Sequence, residues 1–361
     1  MNKLFHWLSR KKSAADLAPQ YSSWQLQDLA RPGSLNGGLP LETYAQMETD
    51  SMVQTAITVK KLGVLAAKWS VRPANDSPNA RRNADFVNQA FERMEGSPHT
   101  ILLNAMDAFA KGWSIQESIY AFEAGKWWLA ATRPKDPSGF GVSLDRFGRL
   151  EGLKLELPGE SAVELPISKF VVFAHRGGYA NPKGRSDLEA AYPHYVAKTS
   201  LLKAWKTHLD RFAMPTMLGS FGTSISQTER NTMLSSLNKL ATTKAIVFPK
   251  DFDISTIPSD TEASKGFMDA IDYHNREIAR AVLGQTLTTD EGRRVGSLAL
   301  GRVHLQVLLL QLESLRTELA DRVMTEQIIR PLIEINFGPG DVPVFEFEKT
   351  QIEAFSTGKI T

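Results

Sequence analysis

Residues 181–212 read NPKGRSDLEAAYPHYVAKTSLLKAWKTHLDRF, and the remainder of the chain is arranged around this segment. Pro182 and Gly184 disfavour an earlier helix start, and Ser186 is a suitable N-cap. Apolar side chains then recur every three or four positions from residue 187 to 212, which predicts one long helix ended by Pro215. The same pattern in residues 261–283 predicts a second helix.

The insert between these two helices, residues 214–258, is too short for a large domain. Its pattern predicts a strand at 217–220, a helix at 226–240, and strands at 244–248 and 251–257. The helix begins with Ser226-Gln227-Thr228-Glu229, which has the form of a capping box. Two helices flanking a compact insert predict a stalk that holds the insert away from the main body.

The flanking regions predict a mixed body. Residues 41–106 are mostly helical in pattern, and residues 113–183 alternate as strands, with a hairpin turn at Ala124-Gly125. Residues 297–330 form the longest predicted helix, which Pro331 should end or kink, and residues 342–347 predict a late strand. Helices followed by an antiparallel sheet indicate an α+β fold.

Two further segments carry no regular pattern. Residues 284–296 contain three glycines among small polar and charged residues, which predicts a mobile loop. Residues 1–40 form an N-terminal arm in which Trp7 and Trp24 are candidates for docking on a neighbour, the alternative being a disordered tail.

Composition excludes several classes of protein. The chain has 361 residues and a formal net charge of +2, so it lacks the bulk charge of a protein that coats nucleic acid. It has no cysteine, which excludes disulfides, thiolate metal sites and cysteine nucleophiles. No window approaches the ~20 apolar residues of a membrane span, and no signal peptide is evident. We therefore expect a soluble intracellular protein that does not contact a membrane.

A search for catalytic motifs finds no phosphate-binding loop and no His-Glu-x-x-His, and the 7 histidines are scattered. Asp251 and Asp253 form an Asp-x-Asp pair that is more typical of a solvated strand than of a cation site. His175, before Arg176, is a candidate base, although a hydrogen-bonded structural histidine is the commoner case. We therefore predict no catalytic residue, no cofactor and no metal site.

The first long helix carries a row of cations on its polar side. They are Lys198, Lys203, Lys206 and Arg211. One interpretation pairs them with Asp269, Asp272 and Glu277 of the second helix; another has them face DNA; a third has them simply solvated.

The order of these elements resembles that of tailed-bacteriophage portal proteins, in particular the Mu-like branch. The resemblance covers about residues 3–355 and is carried by Lys3-Leu4-Phe5-His6-Trp7-Leu8, Trp69-Ser70-Val71, Phe170-Val171-Val172-Phe173-Ala174-His175, Pro182-Lys183-Gly184-Arg185-Ser186-Asp187-Leu188, Trp205 with Arg211-Phe212-Ala213-Met214-Pro215, and Glu277-Ile278-Ala279-Arg280-Ala281-Val282-Leu283-Gly284. No single motif is specific; the ordered set carries the resemblance.

The resemblance implies a phage portal fold. In chain order its parts would be an N-terminal arm (1–40), the first part of a wing (41–183), a stem helix (184–213), an α/β clip (214–258), a second stem helix (259–283) and a tunnel loop (284–296). Residues 297–361, which include the long helix, would complete the wing. Portal proteins often continue into a helical crown, whereas this chain ends at Thr361, so we expect the crown to be absent or truncated.

The resemblance also implies a function and partners. The chain would form a homo-oligomeric ring, a dodecamer, at one capsid vertex of the virion after assembly in the host cytoplasm. Double-stranded DNA would pass through the ring without sequence preference. The terminase large subunit, the head-tail adaptor and the major capsid protein or scaffold would bind it.

Candidate site residues follow from the same resemblance. The tunnel loop would present Thr288, Thr289, Asp290, Glu291, Arg293 and Arg294 to DNA, as would the four stem cations, and the clip would dock through Ser226, Glu229, Arg230 and Lys239. Two alternatives stay open at this point: a cytoplasmic α+β enzyme with a site near His175, and a monomeric DNA-binding adaptor that uses the stem cations.

Overall fold

The computed structural model describes residues 38–155, 159, 161–178, 181–212, 216–221, 226–240, 252–257, 261–285 and 298–348. Two compact units make up the chain, one from Met1–Tyr192 and Ile278–Thr361, the other from Pro193–Glu277. The predicted strand at 244–248, the tunnel-loop residues 288–294 and the arm before residue 38 lie outside the described residues. No helix within the described ranges is long and apolar enough to cross a bilayer.

The first unit is mixed, as the pattern of its sequence predicts. Its helices, in order, are α1 (Leu41–Met47), α2 (Ser51–Leu65), α3 (Pro78–Arg93), α4 (Pro98–Ala105) and α5 (Ala108–Lys111). Its strands over the same region are β1 (Trp69–Arg72), β2 (Trp113–Glu123), β3 (Lys126–Lys135), β4 (Phe140–Leu144), β5 (Leu150–Leu155), β6 (Val163–Pro166) and β7 (Phe170–Ala174). Asp50, Ser77 and Ser97 cap α2, α3 and α4 through their side-chain oxygens.

A three-stranded antiparallel sheet in the order β3-β2-β7 lies in the core of this unit. The predicted hairpin turn joins β2 to β3, with positive φ at Ala124 (51°) and Gly125 (76°), as a two-residue turn between twisted strands requires. The region predicted to form strands also holds a second antiparallel sheet, β4-β5-β6. Strand β6 of this sheet is only four residues long and largely exposed, so its sequence carries no hydrophobic pattern.

The long C-terminal helix differs from its prediction. It begins as α9 (Leu298–Leu319), widens into π-helical turns over Ala320–Ile329, and continues as α10 (Arg330–Phe337). Helical residues continue past Pro331, so of the two predicted outcomes, an end or a kink, the structure excludes the end. The wide turns end in a hydrogen bond from Arg330 N to Thr325 O, so Pro331 stands in the first turn of α10, where a missing N–H costs little.

Two amide side chains of this helical segment form hydrogen bonds with the two edge strands of the β3-β2-β7 sheet. Gln327 accepts from Val172 N at 2.8 Å and donates to Val172 O at 2.9 Å, on the edge strand β7. Asn336 makes the same pair of contacts with Trp127 N and O on β3, both at 2.8 Å. Each amide satisfies backbone groups that an edge strand leaves unpaired.

Helix α9 is also fixed to α2. The Arg316 guanidinium is 4% exposed and donates to the carbonyl oxygens of Val64, at 3.0 Å, and Gly63, at 2.6 Å. These carbonyls belong to the last turn of α2, whose acceptors favour a cation. Strand β10 (Val344–Phe347) then pairs with β1, where Phe345 stacks on Trp69 with ring centroids 5.1 Å apart.

The second unit contains the predicted insert. Helix α6 (Leu188–Phe212) enters it, followed by β8 (Thr216–Phe221), α7 (Gln227–Leu240), β9 (Phe252–Ile257) and α8 (Thr261–Leu283). Strands β8 and β9 pair antiparallel from Thr216 with Ile257 to Phe221 with Phe252. Helices α6 and α8 match the predicted bounds within one residue, and Ser186 accepts a hydrogen bond from Leu188 N at 2.9 Å, as an N-terminal cap does.

Gly184, just before α6, occupies a position that only glycine fits. Its φ is +73°, and a Cβ there would lie 2.5 Å from the carbonyl oxygen of His175 and against that of Gly112. Because both obstacles are backbone atoms, neither can move as a side chain would. Gly125 has nearly the same φ, +76°, but a Cβ added there would meet nothing within 4 Å.

We therefore expect Gly184→Ala to destabilise the chain far more than Gly125→Ala. The positive φ costs both variants about 1–2 kcal/mol, and the clash at Gly184 adds about 1–3 kcal/mol more. Melting temperatures of the two variants measure the difference. Equal losses would contradict the close packing described for residues 112, 175 and 184.

Candidate functional site

A buried charge cluster precedes α6. Asp187 is 1% exposed, and its carboxylate accepts from Lys60 Nζ at 2.5 Å, on α2, and contacts His175 Nε2 and Arg176 Nη2 at 3.1 Å each, just after β7. Asp187 N also donates to Phe109 O at 2.9 Å. The carboxylate of Asp187 therefore ties the start of α6 to α2 and to the end of the central sheet, and its backbone N–H ties it to α5.

The charges in this cluster support one another. Burial alone would raise the pKa of Asp187, but the hydrogen bond from His175 and the charge of Lys60 together hold that pKa below its usual value. Burial lowers the pKa of Lys60, and the carboxylate of Asp187 offsets part of that effect. Asp187 therefore stays ionised, and its ionised form is the one that holds the cluster together.

His175, the candidate base of the enzyme alternative, lies within the buried cluster around Asp187. It is 2% exposed, faces Asp187, and packs edge-on against Phe109 with centroids 4.8 Å apart. A substrate in solvent has no access to a ring so covered. In the part of the chain that is described, no group of three or more His, Asp or Glu side chains forms a metal-binding cluster.

Within the second unit, α6 and α8 run antiparallel side by side. His194 lies against His274 near one end, and His208 lies against Phe267 further along, with ring centroids 5.3 and 5.6 Å apart. From the first contact to the second, the residue number increases on α6 and decreases on α8, so the two helices are antiparallel. The two helices predicted to form the stalk are therefore present and lie next to each other.

The stem cations divide into two groups. Lys198 is only 5% exposed, so of the three interpretations simple solvation does not hold at this position. Lys203 and Lys206 are exposed, as expected for the polar side. The side chain of Arg211 lies outside the described residues, and the DNA-facing role of all these cations stays a prediction.

The insert presents a well-formed helix start. Glu229 N donates to Ser226 Oγ at 3.3 Å, and Ser226 N and Oγ donate to Glu229 Oε2 at 2.9 and 2.7 Å, which confirms the predicted capping box. The Ser226 hydroxyl and N–H lower the pKa of Glu229 by stabilising its carboxylate. Ser226, Glu229 and Arg230 are exposed, whereas the side chain of Lys239 and the tunnel-loop candidates lie outside the described residues.

An exposed apolar row on α9 was not predicted from the sequence. Leu308 and Leu312 are buried, 7% and 5% exposed, but Val303, Val307 and Leu310 are 55%, 43% and 59% exposed. These three positions follow the i, i+4, i+7 spacing of one helix face, so α9 has a second apolar face turned away from its own core. The sequence shows both sets as one apolar run and cannot say which face is covered.

Residues 41–357 match the sequence profile described as the portal protein of Mu bacteriophage. This chain belongs to that family. The portal protein of Escherichia phage Mu is 23% identical over 333 residues, covering 91% of this chain and 63% of that protein. The Mu-like prophage FluMu protein gp29 of Haemophilus influenzae is 21% identical over 323 residues, covering 86% and 61%. The chain thus spans less than two thirds of the length of these curated relatives.

The portal fold is also that of a solved particle component. A chain in the neck of a native gene transfer agent (GTA) particle, computed with C12 symmetry, superposes with a TM-score of 0.59 at 12% identity, covering 91% of this chain and 89% of that chain. This likeness confirms the predicted α+β portal fold, and the family match confirms the Mu-like branch. Portal proteins are a structural family, and these findings support the portal interpretation over an enzyme near His175.

The Asp187 cluster yields a stability prediction. Asp187→Asn leaves Lys60 buried without its counter-charge, which should cost about 3–5 kcal/mol, whereas Asp107→Asn removes a partly exposed pair with Lys61 and should cost at most about 1 kcal/mol. Because the folded-state pKa of Asp187 is lowered, its stabilisation is complete above the usual aspartate value of 3.8 and is lost as pH falls through the lower, folded-state value. Unfolding titrations of both variants at neutral and acid pH provide the measurement.

Two results would count against the cluster. Equal destabilisation by the two substitutions would mean that burial of the Asp187 pair carries no special cost. A deficit of the Asp187→Asn variant that persists undiminished in acid would mean that the carboxylate charge is not its cause.

Proposed function

We propose that this chain forms a closed ring at a capsid vertex of a Mu-like phage or prophage, through which double-stranded DNA passes during packaging and ejection. The observation that carries this proposal is the match of residues 41–357 to the portal family. The likeness of the fold to a neck component computed with C12 symmetry supports a ring of about twelve copies. In this role the protein acts in the virion after assembly in the host cytoplasm.

The ring requires a face on each subunit that meets a different face on the next, because a cyclic assembly is heterologous. We propose that the exposed row Val303, Val307 and Leu310 supplies part of one such face. Apolar side chains spaced along one helix face are expected to be covered in the assembly. Leu202 and Leu209 on α6, 41% and 37% exposed, add apolar surface on the proposed stem.

The proposed parts keep the boundaries that the resemblance implies. Residues 184–213 and 259–283 form the stem, 214–258 the clip, 284–296 the tunnel loop, and 41–183 with 297–361 the wing. The clip would dock the terminase large subunit and then the head-tail adaptor through Ser226, Glu229, Arg230 and Lys239. The capping box holds the first turn of α7 in one geometry, which suits a docking surface.

DNA in such a channel must slide, so tight phosphate contacts are a disadvantage. A net charge of +2, with Asp290 and Glu291 beside Arg293 and Arg294, suits loose guidance better than a basic surface would. The exposed Lys203 and Lys206 are the stem positions we propose to face DNA. We propose no catalytic activity for the chain itself. In this proposal the terminase that drives packaging hydrolyses the ATP.

The ring is tested by particle mass and by negative-stain imaging. We expect the 40.0 kDa chain to form particles of about twelve copies with a central opening, and Leu310→Glu to reduce them to smaller species while the circular dichroism spectrum is unchanged. Leu62→Glu on α2 is the matched control, since Leu62 is 58% exposed and Leu310 59%. A wild-type monomer would overturn the proposed ring, and equal dissociation by both variants would overturn the assigned face.

The tunnel loop is tested by deletion. Removing residues 288–294 should leave ring formation intact and impair DNA packaging or retention, because the loop contributes guidance and no subunit contact. Ring mass and packaged DNA per particle are the two measurements. Failure of the ring to form would show that the loop lies in a subunit interface instead.

A further inference from the structure

Two histidines far apart in sequence meet between α6 and α8 within the second unit. His194 Nδ1 and His274 Nδ1 are 3.1 Å apart, and the ring planes are inclined by 47°. Both side chains are partly exposed, and Tyr273 lies edge-on to both rings. The same nitrogen of each imidazole thus points at the other.

At this distance the lone pairs of the two Nδ1 atoms would repel each other unless a proton or a cation lay between them. A proton does so by forming an N–H···N hydrogen bond, and a metal ion does so by accepting both lone pairs. With Zn–N bonds of about 2.0–2.1 Å, two ligands lie about 2.9 Å apart at a right angle and about 3.4 Å apart at the tetrahedral angle. The observed 3.1 Å falls between these values, so the spacing of the two nitrogens matches that of two ligands of one ion.

The surroundings leave the site open to solvent, because both side chains are only partly buried. Partial exposure leaves room for water in the remaining coordination positions. Since no group of three or more His, Asp or Glu side chains is assembled in the described chain, we expect an exchangeable site and not a closed structural one.

We propose that His194 and His274 bind one divalent transition-metal ion, such as Zn²⁺ or Ni²⁺, through their Nδ1 atoms. The ion would link α6 to α8 and stabilise the helix pair against separation. Imidazole nitrogen prefers these metals to Mg²⁺ or Ca²⁺, which take oxygen ligands. This site does not depend on the proposed portal function.

The test uses the full chain without a polyhistidine tag, titrated with ZnCl₂ or NiCl₂ by calorimetry. We expect one ion per chain and a rise in melting temperature, both lost in His194→Ala and His274→Ala, and no response to MgCl₂. His208→Ala is the matched control, because His208 also lies between these helices, against Phe267. Its titration should equal that of the wild type.

A second measurement identifies the ligands. Copper(II) added to the wild type should give an electron paramagnetic resonance spectrum with splitting from two imidazole nitrogens, reduced to one in His274→Gln, which keeps a polar side chain of similar size. Absence of binding in the wild type would overturn the proposal. So would equal loss of binding in the His208→Ala control, which would indicate unspecific capture by surface histidines.

Discussion

One buried carboxylate holds the helices and the central sheet of the first unit to the start of α6. Asp187 comes immediately before α6, and it contacts Lys60 from α2 and His175 from the end of the central sheet. A charge removed from water is tolerated only where opposite charges and hydrogen bonds replace the lost solvation, and here three side chains do so. The contacts of Asp187 therefore fix the start of α6 against the helices and sheet of the first unit.

The surroundings of Asp187 depend on a close backbone approach. Gly184 lies against the backbone of residues 112 and 175, a packing that a Cβ atom would prevent. Around this core, the C-terminal helix places Gln327 and Asn336 on the two edges of the central sheet and Arg316 on the end of α2. The C-terminal segment thus holds the sheet and helices of the first unit by satisfying backbone groups that would otherwise lack partners.

Such an arrangement suits the proposed ring, in which many copies would assemble and each would present a small docking element. The surface of α9 carries an apolar row that its own chain leaves uncovered, whereas the start of α7 is polar, exposed and fixed by its capping box. The first property favours permanent association and the second favours exchangeable partners. Neither requires a catalytic group, and His175, the best candidate for one, is buried with its Nε2 atom paired to Asp187.

Local patterns in the sequence determined the long helices α6 and α8, the hairpin at Ala124-Gly125 and the capping box at Ser226, because each depends on residues within a few positions of one another. The ordered motifs also determined the family. Tertiary structure alone decided the burial of Lys198, the passage of the helix beyond Pro331, the exposed face of α9, and the meeting of His194 with His274 eighty positions later. Each of these depends on which distant segment covers a given face, and periodicity records only that a face is apolar or polar, never what lies against it.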